Sequence, residues 1–179
     1  MAGTFPITIK PSSISLQDNR PNLINQSVSG KRVTRKYGSQ YFTMDVTLPP
    51  LIKADAMNVF SFLKQQQNSF DKFDFQYPIT NRGLGKQQTD IVVNGAKSLG
   101  DSDIELSGFS NSQNNSLRAG DVIKFNNHSK IYMVTENADS DSSGNTTISI
   151  SPSIISTLAN NEAVVVNSPN FKVYLISDI

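Results

Sequence analysis

The sequence predicts a mainly β protein, α+β at most, and three observations carry that prediction. Val, Ile, Phe, Tyr and Thr gather into short runs, the clearest of these runs alternate apolar with polar residues, and clusters of Gly, Asn, Asp, Ser and Pro separate them. The segment 118–152, RAGDVIKFNNHSKIYMVTENADSDSSGNTTISISP, holds all three in one place. Its β-type runs are Val122–Phe125, Ile131–Thr135 and Thr146–Ser151, each preceded by turn-forming residues. That spacing of short strands and turns suits a small antiparallel barrel or sandwich.

Taken in order, Phe5–Pro11 reads as a short strand closed by proline, with Ile14–Leu16 continuing it. Leu23–Val28 is a second strand, Ser29-Gly30-Lys31 a turn, and Arg32–Tyr37 a third strand. Gln40–Leu48 alternates most cleanly. Phe42, Met44, Val46 and Leu48 share one face, which predicts a strand with one buried side, ended by Pro49-Pro50. Ile52–Gln67 is the one good helix, with Ala56, Val59, Phe60 and Leu63 at helical spacing and Asp55 in the first turn. A strand returns over Phe70–Tyr77, and Thr80–Gln88 reads as a linker. Short strands follow near Asp90–Asn94 and Ile104–Leu106. After the 118–152 block come Ala163–Asn167 and a last strand, Phe171–Ile176.

Composition narrows the function classes. The chain has 179 residues, 37% hydrophobic and 17% charged, and no cysteine, so disulfides and thiolate metal sites are excluded. The N-terminus carries no signal-peptide pattern, and no apolar stretch approaches the roughly 18 residues that cross a bilayer. A soluble protein made in a cytoplasm is expected. The net charge of +1 is unevenly placed: residues 1–87 carry 11 Lys/Arg against 5 Asp/Glu, and residues 88–179 carry 5 against 10. Such asymmetry fits a basic part and an acidic part with different neighbours, protein or DNA.

Each chemical motif has a plain alternative. Asp139–Gly144 resembles a calcium loop, but the place of the bidentate Glu is Ile150, so a flexible hairpin loop is expected. His128, the single histidine, lies in Asn126-Asn127-His128-Ser129 and is read as a turn or surface residue. Asp101, Asp103 and Glu105 alternate as a solvated strand face. Ser29-Gly30-Lys31 lacks the glycine and hydroxyl of a phosphate loop. Lys31, Arg32, Arg35 and Lys36 form the one basic cluster, which reads as a subunit-interface edge or a surface facing a DNA-bearing lumen. No base–nucleophile pair is in register for catalysis, so no enzyme, no cofactor and no metal are expected.

The run FPITIKPSSISLQDNRPNLINQSVSGKRVTRKYGSQYFTMDVTLPPLIKADAMNVFSFLKQQQNSFDKFDFQYP resembles small structural proteins of bacteriophage tails. Its distinctive parts are PNLINQSVSGKR, YFTMDVTLPPL, the helix and FDFQYP. The later run, LRAGDVIKFNNHSKIYMVT with TISISPSI and NFKVYLISD, is similar to a barrel inserted in the same proteins. The best comparison is the distal tail protein family. That resemblance implies an antiparallel β-sandwich assembly domain with one helix, residues 1–87 with 168–179, and a small β-barrel, residues 88–167, inserted between them. It also implies a homo-oligomeric ring, usually hexameric, in the virion, joining tail tube to tail hub or baseplate, with DNA passing through its lumen and no membrane partner. A carbohydrate-binding or host-recognition module on a virion is the alternative from a different class.

Overall fold

The computed structural model describes residues 3–6, 9–67, 69–77 and 90–176. The Thr80–Gln88 linker expected from the sequence lies outside them. The protein is mainly β, with one α-helix among the described residues. It divides into two compact units, Thr8–Ala56 and Met1–Ile7 with Met57–Ile179.

The smaller unit is a long β-ribbon. Strands β1 (Ser13–Asn19) and β4 (Tyr41–Thr47) pair antiparallel from Ser13↔Thr47 to Asn19↔Tyr41. Nested between them, β2 (Asn22–Gln26) pairs with β3 (Arg32–Lys36) from Asn22↔Lys36 to Gln26↔Arg32. The tip is the Ser27–Lys31 turn, closed by Ser27 N–H to Lys31 O (3.0 Å) and Gly30 N–H to Ser27 O (2.9 Å). At the junction of the two ladders, Arg20 and Pro21 face the longer segment Tyr37–Gln40, so the register shifts there. The outer half of this ribbon, residues 22–38, is its arm.

One expectation fails in this unit. No residue of β4 is fully buried: Phe42 and Met44 are half-covered and Val46 is exposed. The alternation correctly marks a strand, but a two-stranded ladder satisfies strand edges and leaves strand faces open. The Phe5–Pro11 strand is also not formed within the described residues; Thr4 makes an isolated parallel bridge to Asp74.

Helix α1 (Lys53–Gln65) enters the larger unit at Met57; its first turn carries Asp55 and its last turn Lys64, matching the helix dipole. Its inward face is turned from the expected one. Val59 is buried and Phe62 and Leu63 are half-covered, whereas Ala56 and Phe60 are exposed. Phe62 sets the orientation, because its ring stacks edge-on against Phe5 (5.9 Å) and Phe73 (5.4 Å). Phe60 instead lies under Lys64 Nζ at 5.6 Å. Strand β5 (Phe73–Gln76) buries Phe73 and Phe75, and Phe75 also meets Phe5.

The remaining strands are β6 (Val92–Val93), β7 (Asp103–Ser107), β8 (Val122–Phe125), β9 (Tyr132–Val134), β10 (Asn145–Ser151), β11 (Val164–Val165) and β12 (Asn170–Val173). Strands β6 to β11 form one sheet in the order β11-β8-β9-β10-β7-β6. Its two ends meet: Val164 N–H donates to Ile91 O and Val93 N–H to Glu162 O, both at 2.9 Å, so the sheet closes into a barrel. Closure removes the free edges. Alternate residues point inward, and Ile104, Leu106, Ile123, Phe125, Tyr132 and Ile148 are wholly shielded from solvent. Each such side chain contributes about 1.5–3 kcal/mol by leaving water. Strand β12 pairs with β5, Phe171 opposite Phe75, although the barrel residues lie between them in sequence.

Candidate assembly surface

The four cations singled out in the sequence all lie on the arm. Lys31 belongs to the tip turn; Arg32, Arg35 and Lys36 belong to β3. Strand alternation divides them. Arg32 and Lys36 share a face with Ile24, while Arg35 shares the opposite face with Leu23, Val33 and Tyr37. The cluster contiguous in sequence is therefore two half-clusters on opposite sides of a ribbon. None of the four has an ion-pair partner among the described residues, and no Asp or Glu occurs between Asp18 and Asp45.

The aliphatic residues of the arm are as exposed as its cations. Leu23 is 60% and Val33 58% accessible, Ile24 is similar, and Tyr37 reaches 72%. Every residue of β2 and β3 is exposed. Large apolar side chains left open on both faces of a ribbon make it a candidate place of interaction. Beside the register shift a hollow of about 530 Å³ opens, lined by Leu23, Arg35, Lys36, Tyr37, Gly38 and Ser39. At the register shift itself charge is already paired. Asp18 takes hydrogen bonds from Arg20 Nε (2.8 Å) and Gln40 Nε2 (2.5 Å). The helix adds two exposed apolar side chains, Met57 and Phe60, one turn apart. These were not separable by spacing from the residues that pack inward.

The barrel's polar groups are turned to its own structure. Asp141 accepts the backbone N–H of Asn145 and of Ser143, each at 2.8 Å, and this lowers the pKa of its carboxyl from the ordinary value. Asp139 accepts Asn115 N–H, and Ser140 Oγ bridges Ser110 O and Gln113 N–H. The expected flexible loop is thus a hydrogen-bonded turn, fixed by its own acids. Gly144 completes it at φ +77°, where a Cβ would collide with the Phe109 carbonyl oxygen.

His128 is in the expected turn but not on the surface. It is buried, its ring packs against Phe125 (5.5 Å), and Nδ1 shares a hydrogen bond with Tyr132 Oη at 2.8 Å. Tyr132 Oη also accepts Ile155 N–H, and burial pushes the phenol pKa upward, with the nearby Glu162 charge adding to the rise. Glu162 in turn receives Asn127 N–H at 3.0 Å and Ala159 N–H at 3.3 Å. These groups tie the β8–β9 turn to the segment before β11. On the acidic strand face, Asp103 accepts Ser149 Oγ and Glu105 pairs with Lys97 at 3.3 Å. Among the described residues no group of three or more His, Asp or Glu is placed to hold a metal ion, and no helix is long and apolar enough to cross a membrane.

A family model described as distal tail protein pb9, B domain, matches residues 80–169, half of the chain. This span contains the whole closed barrel. None of the curated proteins compared with the chain matches it.

Proposed function

Since the chain belongs to the bacteriophage distal tail protein family and is thereby a component of the virion tail, we propose that it acts there as a ring-forming connector between tail tube and tail hub. It works by assembly and not by catalysis. The observation that carries this reading is the arm: exposed aliphatics, and cations without ion-pair partners among the described residues, on both faces of a ribbon. Burial of that surface between copies removes apolar area from water, and heterologous contacts repeated around an axis close a ring. Six copies are expected, with tail-tube and hub or baseplate proteins above and below. DNA passes through the lumen during ejection.

The same reading divides the labour within the chain. Residues 1–87 with 168–179 form the assembly domain, and residues 88–167 an inserted barrel carried on it. The β5–β12 ladder supports this division, because it joins residues 73–76 to 170–173 with the barrel in between. Lys31, Arg32, Arg35 and Lys36 are interface residues in this scheme.

Native mass spectrometry and negative-stain imaging of the purified protein, alone and with tail-tube protein, test the proposal. The expected result is a closed ring of six subunits. A protein that stays monomeric at high concentration and binds no tail-tube protein overturns it.

A further inference from the structure

We infer that the hollow on the arm of one copy receives the Leu99 turn from the barrel of a neighbouring copy, a contact that rests on the ring reading and names its surfaces. The barrel side is a built projection. Asp101 N–H donates to Ser98 O (3.1 Å), and Gly100 at φ +95° takes the third position of a type II turn, which leaves Leu99 at the tip. Ser98 N–H to the Asp101 carboxylate (2.8 Å) locks the turn. Gly100 N–H to Ile154 O and Ile154 N–H to Asp101 O, both 2.9 Å, fasten it to the neighbouring segment. Leu99 is 66% and Ile155 50% exposed, in a barrel whose other large aliphatics are, but for Val165, mostly inside. An apolar side chain already held in one place loses little freedom on docking.

Charge selects the partner. Residues 88–167 carry nine Asp/Glu against four Lys/Arg, and Asp101 and Asp103, just after Leu99, form no ion pair among the described residues, the nearby Lys97 being paired with Glu105. The arm carries four cations and no acid, and its hollow combines Leu23 and Tyr37 with Arg35 and Lys36. An aliphatic knob followed by two carboxylates matches an open hollow that sets two large apolar side chains beside two cations. A nucleic acid fits the arm less well. Phosphates call for cations gathered on one face, whereas this ribbon divides its cations and sets Leu23 and Val33 next to Arg35.

Cross-linking in mixed rings tests the contact. Full-length protein carrying a photo-reactive residue at Val33 is grown with heavy isotopes, mixed with light wild-type protein, assembled, irradiated and digested. Heavy–light cross-links between the arm and peptides containing Leu99 or Ile155 are expected. Leu99→Asp should raise the protein concentration needed for assembly about tenfold, as should Arg35→Asp and Asp103→Arg singly, with the two charge changes together restoring it. Unchanged barrel melting in each variant separates docking from folding. Rings that form normally with no such cross-links overturn the contact and leave the ring reading standing. Absence of any ring in the wild type overturns the ring reading itself. Arg35→Asp that weakens duplex DNA binding and spares assembly assigns the arm to nucleic acid and overturns the contact as well.

Discussion

The barrel and the arm are both built from short antiparallel strands that carry Val, Ile or Leu, and the structure treats those side chains oppositely. In β10, Thr146, Ile148 and Ile150 point to one side and all three are buried. In β2 and β3, Leu23 and Val33 lie on one face and Ile24 on the other, and all remain exposed. The difference is closure. Six strands curl until the first and last exchange backbone hydrogen bonds, so every inward side chain finds neighbours across the interior. Two strands make no interior at all, and their faces stay open. The barrel thus covers its inner face within one chain, and the arm does not.

That contrast can be broken most directly by shaving one methyl-bearing side chain from each region. Ile148→Ala should destabilise the barrel by about 2–5 kcal/mol, because it leaves a cavity in a closed core. Val33→Ala should change the stability of the free protein by about 0.5 kcal/mol or less and instead weaken ring formation. Urea melts of both variants decide the matter: comparable losses in the two would show that the arm has a core of its own. Next in size is Gly144→Ala, expected to cost about 1–3 kcal/mol, since it forces a side chain into a left-handed backbone and against the Phe109 carbonyl. A silent substitution there would mean that the Asp141 turn contributes little to the barrel.

Two pH experiments sharpen the picture of the barrel's polar ties. The Tyr132 phenol is raised in the folded state, so its contribution is fully present below the ordinary tyrosine value of about 10 and is lost as pH rises through the folded value. Thermal melts should therefore fall above about pH 10 in the wild type, and Tyr132→Phe should remove that part of the dependence. Asp141 runs the other way. Its folded value is lowered, so its contribution is present above the ordinary carboxylate value of about 3.9 and disappears as pH drops through the folded one. Because this carboxylate is exposed, the smallest effect belongs to it. Asp141→Asn should flatten the acid side of the melting curve slightly, and an unaltered curve would show that the backbone alone holds the turn.

Much of the fold was legible in the residues. Alternation and turn chemistry located β8 to its residue bounds and β2 to β5 closely, marked only Ile14–Leu16 of β1, and the helical spacing around Val59 located α1. The surface was harder to read. Phe60 and Phe62 are two residues apart on one helix, and only the stacking of Phe62 on Phe5 and Phe73, which are remote in sequence, settles which turns inward. His128 looked like a turn residue because its neighbours are Asn and Ser, yet Phe125 and Tyr132 fold over it. The basic cluster was visible as four cations in six positions, but its division between two faces follows from the β2–β3 register.

By itself, then, the sequence determined the strands, the turns, the acidic and basic halves, and a family resemblance in keeping with the matching family model, because these depend on local preference and on composition. Only the tertiary structure decided which alternating faces are covered. Alternation records that one side of a strand differs from the other. Whether that side meets its own chain, as in the closed barrel, or remains bare, as on the arm, depends on which strands exchange hydrogen bonds across long stretches of sequence. Burial is a property of that pairing and not of any single strand.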